Sequence, residues 1–187
     1  MNQENTHDPA PCVMALGTFD GMHPGHLAVI DRAVSVARSM GLPACVYTFC
    51  EIPRSIFASP VQMLMSPQEK ERAMYARGVD KVFMAHFTKE LAQMSPEDFA
   101  GMLKDECGAQ CVVTGEDYTF GCRAQGNVNV LRTLGARLGF RVVVVETVTV
   151  PACEGSAPIK ISSTAIREAL ERGETDAARS LLNGKTK

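Results

Sequence analysis

Five short apolar runs recur along the chain: CVMALGTF (12–19), ACVYTF (44–49), KVFMAHF (81–87), CVVTG (111–115) and RVVVVETV (141–148). Runs of this length, bounded by glycine or polar residues, suit strands buried on both faces. Amphipathic stretches long enough for helices separate most of them, and strands that alternate with helices pair in parallel. The pattern predicts an α/β fold: a Rossmann-like, doubly wound parallel sheet in three α/β/α layers.

Local signals mark the helices. Leu27, Ile30, Val34 and Ala37 recur at helical spacing with Arg32, Ser35 and Arg38 opposite them, and Gly41-Leu42-Pro43 ends the pattern. SPQE (66–69) is a capping box with proline at the first helical position, and SPED (95–98) is a close variant. NVLRTLGARLG (129–139) and SSTAIREALERG (162–173) read as further helices, with a short last one to about Leu182. EIPRSIFASPVQ (51–62) is the expected mobile loop. No repeat or linker divides the 187 residues. The expected organisation is a disordered tail over 1–11, one domain over 12–182 and a C-terminal tail over 183–187.

Composition narrows the class. The formal net charge of −2 argues against a bulk binder of nucleic acid or of anionic membranes. Residues 1–11 lack an apolar signal core, and the VVVV run (142–145) is far too short to span a bilayer. Seven dispersed cysteines without a CxxC pair fit free thiols in a reducing, cytoplasmic setting better than disulfides or a structural zinc site.

GTFDGMHPGH (17–26) concentrates the chemistry at the exit of the first strand. Ligands of parallel sheets sit there, where glycines admit phosphates and helix starts offer N–H groups. Gly17, Gly21 and Gly25 punctuate the loop, Pro24 suits a first helical turn, and His23 and His26 flank it. A metal pair, a plain helix start and an anion site are the readings open to such a segment. Zinc needs a third ligand, which the sequence does not put nearby. In ISSTAIRE (161–168), Ser162 is a natural N-cap, Ser163 and Thr164 offer hydroxyls, and Arg167 lies on the opening turns; an ordinary capped helix is the plainer alternative. In TGEDYTFG (114–121), Asp117 could meet a ribose or a helix-end donor, and Tyr118 and Phe120 could face a planar ring or simply pack the loop.

Together these segments resemble the FMN adenylyltransferase domain of bacterial bifunctional riboflavin kinase/FAD synthetases, within the HxGH nucleotidyltransferase superfamily. LGTFDGMHPGH, LMSPQEKERAM, MSPEDFAGML, TGEDYTFGCRAQGNVNVLRTL and ISSTAIREAL follow in the family's order, from about Val13 to Leu182. The resemblance implies transfer of AMP from ATP to the FMN phosphate, with Mg²⁺ carried mainly by the ATP phosphates. It implies His23, His26 and Arg167 as catalytic residues. It also implies nucleotide contacts from Gly17, Thr18, Phe19, Asp20, Gly21, Gly25, Ser162, Ser163 and Thr164, and flavin contacts from Phe49, Pro53, Asp117, Tyr118 and Phe120. Partners are then small-molecule nucleotides, with neither nucleic acid nor membrane among them.

Two departures stand out. Where the family carries a TFDPHP-like segment this chain reads TFCEIP (48–53), with Cys50 at the acid's place and Ile52 at the histidine's. The chain also ends at LLNGKTK, where the family continues into a riboflavin kinase barrel, so that domain is expected to be absent. Alternatives are an adenylyltransferase for nicotinate or nicotinamide mononucleotide, which usually has proline at the place of Gly21, and a catalytically idle nucleotide- or flavin-binding protein.

Overall fold

The structure, a computed structural model, describes residues 9–53, 61–150 and 159–184. Part of the expected mobile loop, most of the N-terminal tail, the last three residues and Cys153 lie outside them. Five parallel strands form the sheet in the order β3-β2-β1-β4-β7: β1 (Cys12–Leu16), β2 (Ala44–Phe49), β3 (Lys81–Ala85), β4 (Ala109–Gly115) and β7 (Arg141–Val145). The order reverses between β1 and β4, which places the topological switch at the exit of the first strand.

Period-two alternation along β1 and β2 divides the core. Met14, Leu16, Tyr47 and Phe49 face one layer with Phe99 and Leu103 of α4 (Pro96–Asp105) and Leu131 and Leu134 of α5 (Val128–Leu138). Val13, Ala15 and Val46 face the other layer, against Ile30, Ala33 and Ala37 of α1 (Pro24–Met40) and Met74 of α2 (Pro67–Ala76). Burial of the aliphatic and aromatic side chains stabilises each layer by about 1.5–3 kcal/mol per residue. The expected three-layer α/β fold is what the chain adopts.

Boundaries differ in detail. β1 stops at Leu16, three residues short of the apolar run, because Gly17–Phe19 turns into the loop before α1. β3 and β7 likewise end at Ala85 and Val145. Both capping segments behave as read: Ser66 and Glu69 form a reciprocal box, and Ser95 caps α4 through the Asp98 N–H. Short elements without a sequence signature appear as well. They are α3 (Lys89–Gln93), the pairs β5 (Thr119–Phe120) with β6 (Gly126–Asn127) and β8 (Thr149–Val150) with β9 (Ile159–Lys160), and a single 3₁₀ turn at Cys122–Ala124.

The chain closes with α6 (Ser163–Glu171) and α7 (Thr175–Asn183). Ile166, Ala169 and Ala178 form a small core of their own beside Leu64, Leu181 and Leu182. At the two ends of the described chain, Pro9 and Ala10 pack against Gly108, and Gly184 caps α7 against Pro24.

Candidate active site

A cavity of about 900 Å³ opens at the switch point, bounded by the loop after β1, the segments after β2 and β4, and the start of α6. Its volume lies within the range of small-molecule sites. A smaller groove of about 400 Å³ beside α5, lined by Asn129, Arg132 and Glu146, holds none of the expected catalytic, nucleotide or flavin residues.

The loop after β1 is built on unusual backbone. Phe19 and Met22 have φ of 50° and 43°, a region costly for bulky side chains, by about 1–3 kcal/mol each. Phe19 is fully buried, with its ring folded beneath Gly17; a β-carbon there would stand 2.8 Å from Phe19 Cζ. That ring meets His26 edge-on, with centroids 5.5 Å apart. Phe19 lines the cavity beside the other expected nucleotide residues, and its buried ring braces a histidine from within the core.

His23 is the N-cap of α1 without a side-chain capping bond, Pro24 follows it, and His26 lies in the first turn. The His26 N–H is already bonded to the His23 carbonyl at 2.8 Å, so this helix start presents imidazoles more than backbone donors. The two rings stack with centroids 3.6 Å apart, and Nδ1 of each is buried without a hydrogen-bond partner among the described residues. Buried unpaired polar atoms are costly and mark a group reserved for a ligand. Burial lowers the His23 pKa to about 4, against a weaker upward pull from Asp117 and Asp20. Burial also holds His26 well below its ordinary value, helped by His23, Lys70 and Arg167. Both rings are therefore neutral near pH 7.

Asp20 has a different place from the one read in sequence. Only 4% exposed, it accepts hydrogen bonds from the Leu64 N–H (3.0 Å) and the Met65 N–H (3.3 Å) and forms an ion pair with Arg167. Arg167 Nε donates to the Gln62 carbonyl at 2.9 Å. The Ser163 hydroxyl donates to the Asp20 carbonyl at 2.7 Å, and Ser162 Oγ caps the Ala165 N–H. Asp20 is thus the tie between the first loop, the 62–65 segment and α6. Neither Asp20 nor Gly21 lines the cavity, and Gly21 turns with φ 85° against Leu64.

Gly17, Thr18, Gly25, His23, His26, Ser162, Ser163, Thr164 and Arg167 do line it. The expected flavin residues line the same cavity. Phe49 meets Phe87 edge-on at 5.1 Å, and Tyr118 lies nearly parallel to Phe120, which in turn packs on Phe99. Pro53 and Asp117 also face the cavity, and Asp117 accepts from Lys160 Nζ at 2.7 Å.

Two residues of this region escaped the sequence reading. Lys160 sits in the two-residue strand β9, too short for periodicity to register. Lys70 is 4% exposed and donates to the Thr18 carbonyl (3.0 Å) and the Phe49 carbonyl (2.6 Å), joining the exits of β1 and β2. Its signal was present: Lys70 shares a helix face with Met74, four residues on, a position where a lysine is out of place unless it has partners.

Comparison with known proteins agrees with this architecture. A family model described as FAD synthetase matches residues 5–165. The chain is 33% identical over 175 residues to a bifunctional riboflavin kinase/FMN adenylyltransferase of Pseudomonas fluorescens and 35% identical over 173 residues to one of Listeria monocytogenes, covering 91% of this chain in each case. It accounts for 54% and 53% of those proteins, and so spans about half the length of the curated relatives it matches. A shorter relative from Geobacillus thermodenitrificans, named a putative bifunctional riboflavin kinase/FMN adenylyltransferase, is 35% identical and 88% covered. A crystal structure described as a macrolide-efflux protein from Streptococcus pneumoniae superposes with a TM-score of 0.76 at 30% identity, over 98% of this chain and 58% of that one. Among the described residues no helix is long and apolar enough to cross a membrane.

Proposed function

The chain belongs to the FAD synthetase family, and from that premise we propose that it transfers the adenylyl group of ATP to the phosphate of FMN, giving FAD and pyrophosphate. The observation that carries the reading is the meeting of two chemistries in one cavity. Stacked histidines, an arginine and a helix start line the same cavity as a set of aromatic rings.

In this reaction an oxygen of the FMN phosphate attacks the α-phosphorus of ATP. The new O–P bond forms as the bond to the β-phosphate oxygen breaks, and pyrophosphate leaves with the electron pair. The phosphate monoester is already nucleophilic, so no covalent enzyme intermediate is required. The enzyme's task is to hold two anions in line and to stabilise the charge that develops between them.

Neutral His23 and His26 donate imidazole N–H bonds to the α-phosphoryl oxygens, and growing negative charge there strengthens those bonds in the transition state. Arg167, the hydroxyl of Thr164 and the N–H groups of the first turn of α6 receive the β- and γ-phosphates. Gly17, Thr18 and Gly25 leave room for the nucleotide. Phe49, Pro53, Tyr118 and Phe120 provide the apolar face for the isoalloxazine ring, with Asp117 at its polar edge. Asp20 and Phe19 act beneath this layer, one by orienting Arg167 and the other by bracing His26.

Magnesium would supply charge neutralisation on the phosphates. Among the described residues, the cavity carboxylates Glu116, Asp117, Glu146, Glu168 and Glu171 bring no three ligand groups together; Asp117 is engaged by Lys160, and Glu116 accepts from the Thr147 N–H. They do not form an ion cage, so the ion arrives with ATP. A cytoplasmic location fits the six described cysteines, all free thiols.

The test supplies the protein with Mg·ATP and, separately, FMN, nicotinate mononucleotide and nicotinamide mononucleotide, and measures pyrophosphate and the adenylylated product. FAD formation with FMN alone is expected. Turnover with a pyridine mononucleotide alone, or with none of the three, overturns the proposal.

A further inference from the structure

Outside the histidine site, among the described residues, one cluster combines three metal-binding side chains. Cys50 and Glu51 follow β2, and His86 follows β3; their donor atoms all lie within 4.8 Å of one another. The backbone brings them together, because the Cys50 N–H bonds to the Ala85 carbonyl at 2.9 Å and continues the β2–β3 ladder by one residue. His86 Nδ1 is 2.7 Å from one Glu51 oxygen, and the other accepts from the Phe87 N–H at 3.2 Å. Cys50 Sγ makes only a long contact, 3.9 Å, to the Met84 carbonyl.

We propose that Cys50, Glu51 and His86 bind a divalent transition-metal ion of the zinc class. Sulfur, imidazole nitrogen and carboxylate oxygen together favour such an ion over magnesium or calcium, which take oxygen ligands. The ligand charges also balance it: a thiolate and a carboxylate cancel two positive charges, with the histidine neutral. Binding exchanges the thiol proton for a sulfur–metal bond and releases that proton to solvent.

Tetrahedral coordination puts neighbouring ligand atoms about 3.3–3.6 Å apart, so the widest separations close by about 1 Å at most while His86 Nδ1 and the Glu51 oxygen, 2.7 Å apart, spread slightly. Glu51 and Cys50 are half-buried and His86 is exposed on its loop, so the contraction moves side chains and not the sheet. The fourth position is left to water. Ile52, Pro53 and Phe87, the neighbours of the ligands in sequence, line the cavity, and the ion would clasp the segments after β2 and β3 at its rim. The site does not depend on which acceptor the enzyme uses.

Cobalt(II) titration of the full chain tests the proposal, because thiolate–cobalt charge transfer reports the sulfur ligand directly. The expected result is one equivalent bound with a near-ultraviolet charge-transfer band that zinc displaces and magnesium does not. C50S should abolish the band, and E51Q and H86A should each weaken binding on the order of tenfold or more. C122S and C153S should leave it unchanged. Absence of the band in the unaltered chain, its persistence in C50S, or affinities unaffected by E51Q and H86A would overturn the assignment. The unaltered chain alone decides the first outcome, so the test survives any variant that folds poorly.

Discussion

A β-carbon on Gly25 would stand 3.2 Å from His23 Cε1 and 3.3 Å from its Nδ1. The glycine of HPGH is therefore the surface on which the first imidazole rests. Gly25→Ala presses on that ring while keeping a residue compatible with the helix. The expected result is a loss of turnover on the order of tenfold or more with unfolding free energy nearly unchanged, since small misplacements in a site cost rate steeply. Steady-state kinetics alongside urea unfolding separates the two effects.

His26→Ala removes a donor whose bonds strengthen in the transition state. Turnover should fall by about 10²–10³-fold while ATP affinity changes little. Equilibrium binding of a non-hydrolysable ATP analogue, set beside single-turnover rates, checks the split. An equal loss in both would mean that the ring only supports the loop.

Asp20→Asn weakens the anchor that orients Arg167 and fixes the Leu64 and Met65 N–H groups. Breaking one side of a buried pair typically costs about 3–5 kcal/mol. Stability and pyrophosphate release should fall together. Combining Asp20→Asn with Arg167→Met should cost less than the sum of the two single changes, a coupling that a double-mutant cycle in urea measures directly.

Lys70→Met keeps most of the side-chain volume but withdraws two hydrogen bonds from buried carbonyls, those of Thr18 and Phe49. The Thr18 carbonyl keeps the Thr48 hydroxyl at 3.0 Å, so the upper range is one orphaned carbonyl, that of Phe49, at about 1–3 kcal/mol, reduced where water reaches the group. Urea unfolding measures it. Faster amide exchange at the exits of β1 and β2 distinguishes this local loosening from a uniform effect.

The histidines also set an acid limit. His23 has a folded pKa of about 4 against an ordinary 6.5, so the unfolded chain takes up the proton first as pH falls. Its contribution is fully present above pH 6.5 and is lost progressively down to about 4, amounting to about 3 kcal/mol. His26 shifts in the same direction. Unfolding free energies across this window should decline, and the slope should be shallower in His23→Asn.

Much of this was legible because it is local. Apolar runs, capping residues and the HPGH spacing each declare themselves within ten residues, and the strand–helix alternation carried the layer architecture. Less legible were relationships across the chain. Sequence offered Asp20 as a ligand contact, and only its 147-residue reach to Arg167 reveals a tie within the protein. Lys70 acts through carbonyls on two other elements, and carbonyls are the same in every residue. Cys50 and Glu51 read as a departure from a family pattern until the β2–β3 ladder set His86 beside them.

The bond between Asp20 and Arg167 orders events in time as well as in space. During synthesis the carboxylate leaves the ribosome 147 residues before its cation. At 5–20 residues per second this is a delay of roughly 7–30 s. For nearly all of that interval the nascent chain carries both histidines of the motif yet lacks the guanidinium that pairs with the aspartate. The proposed transfer would thereby await the chain that has finished α6, and a ribosome stalled upstream would display the histidine motif before its arginine partner.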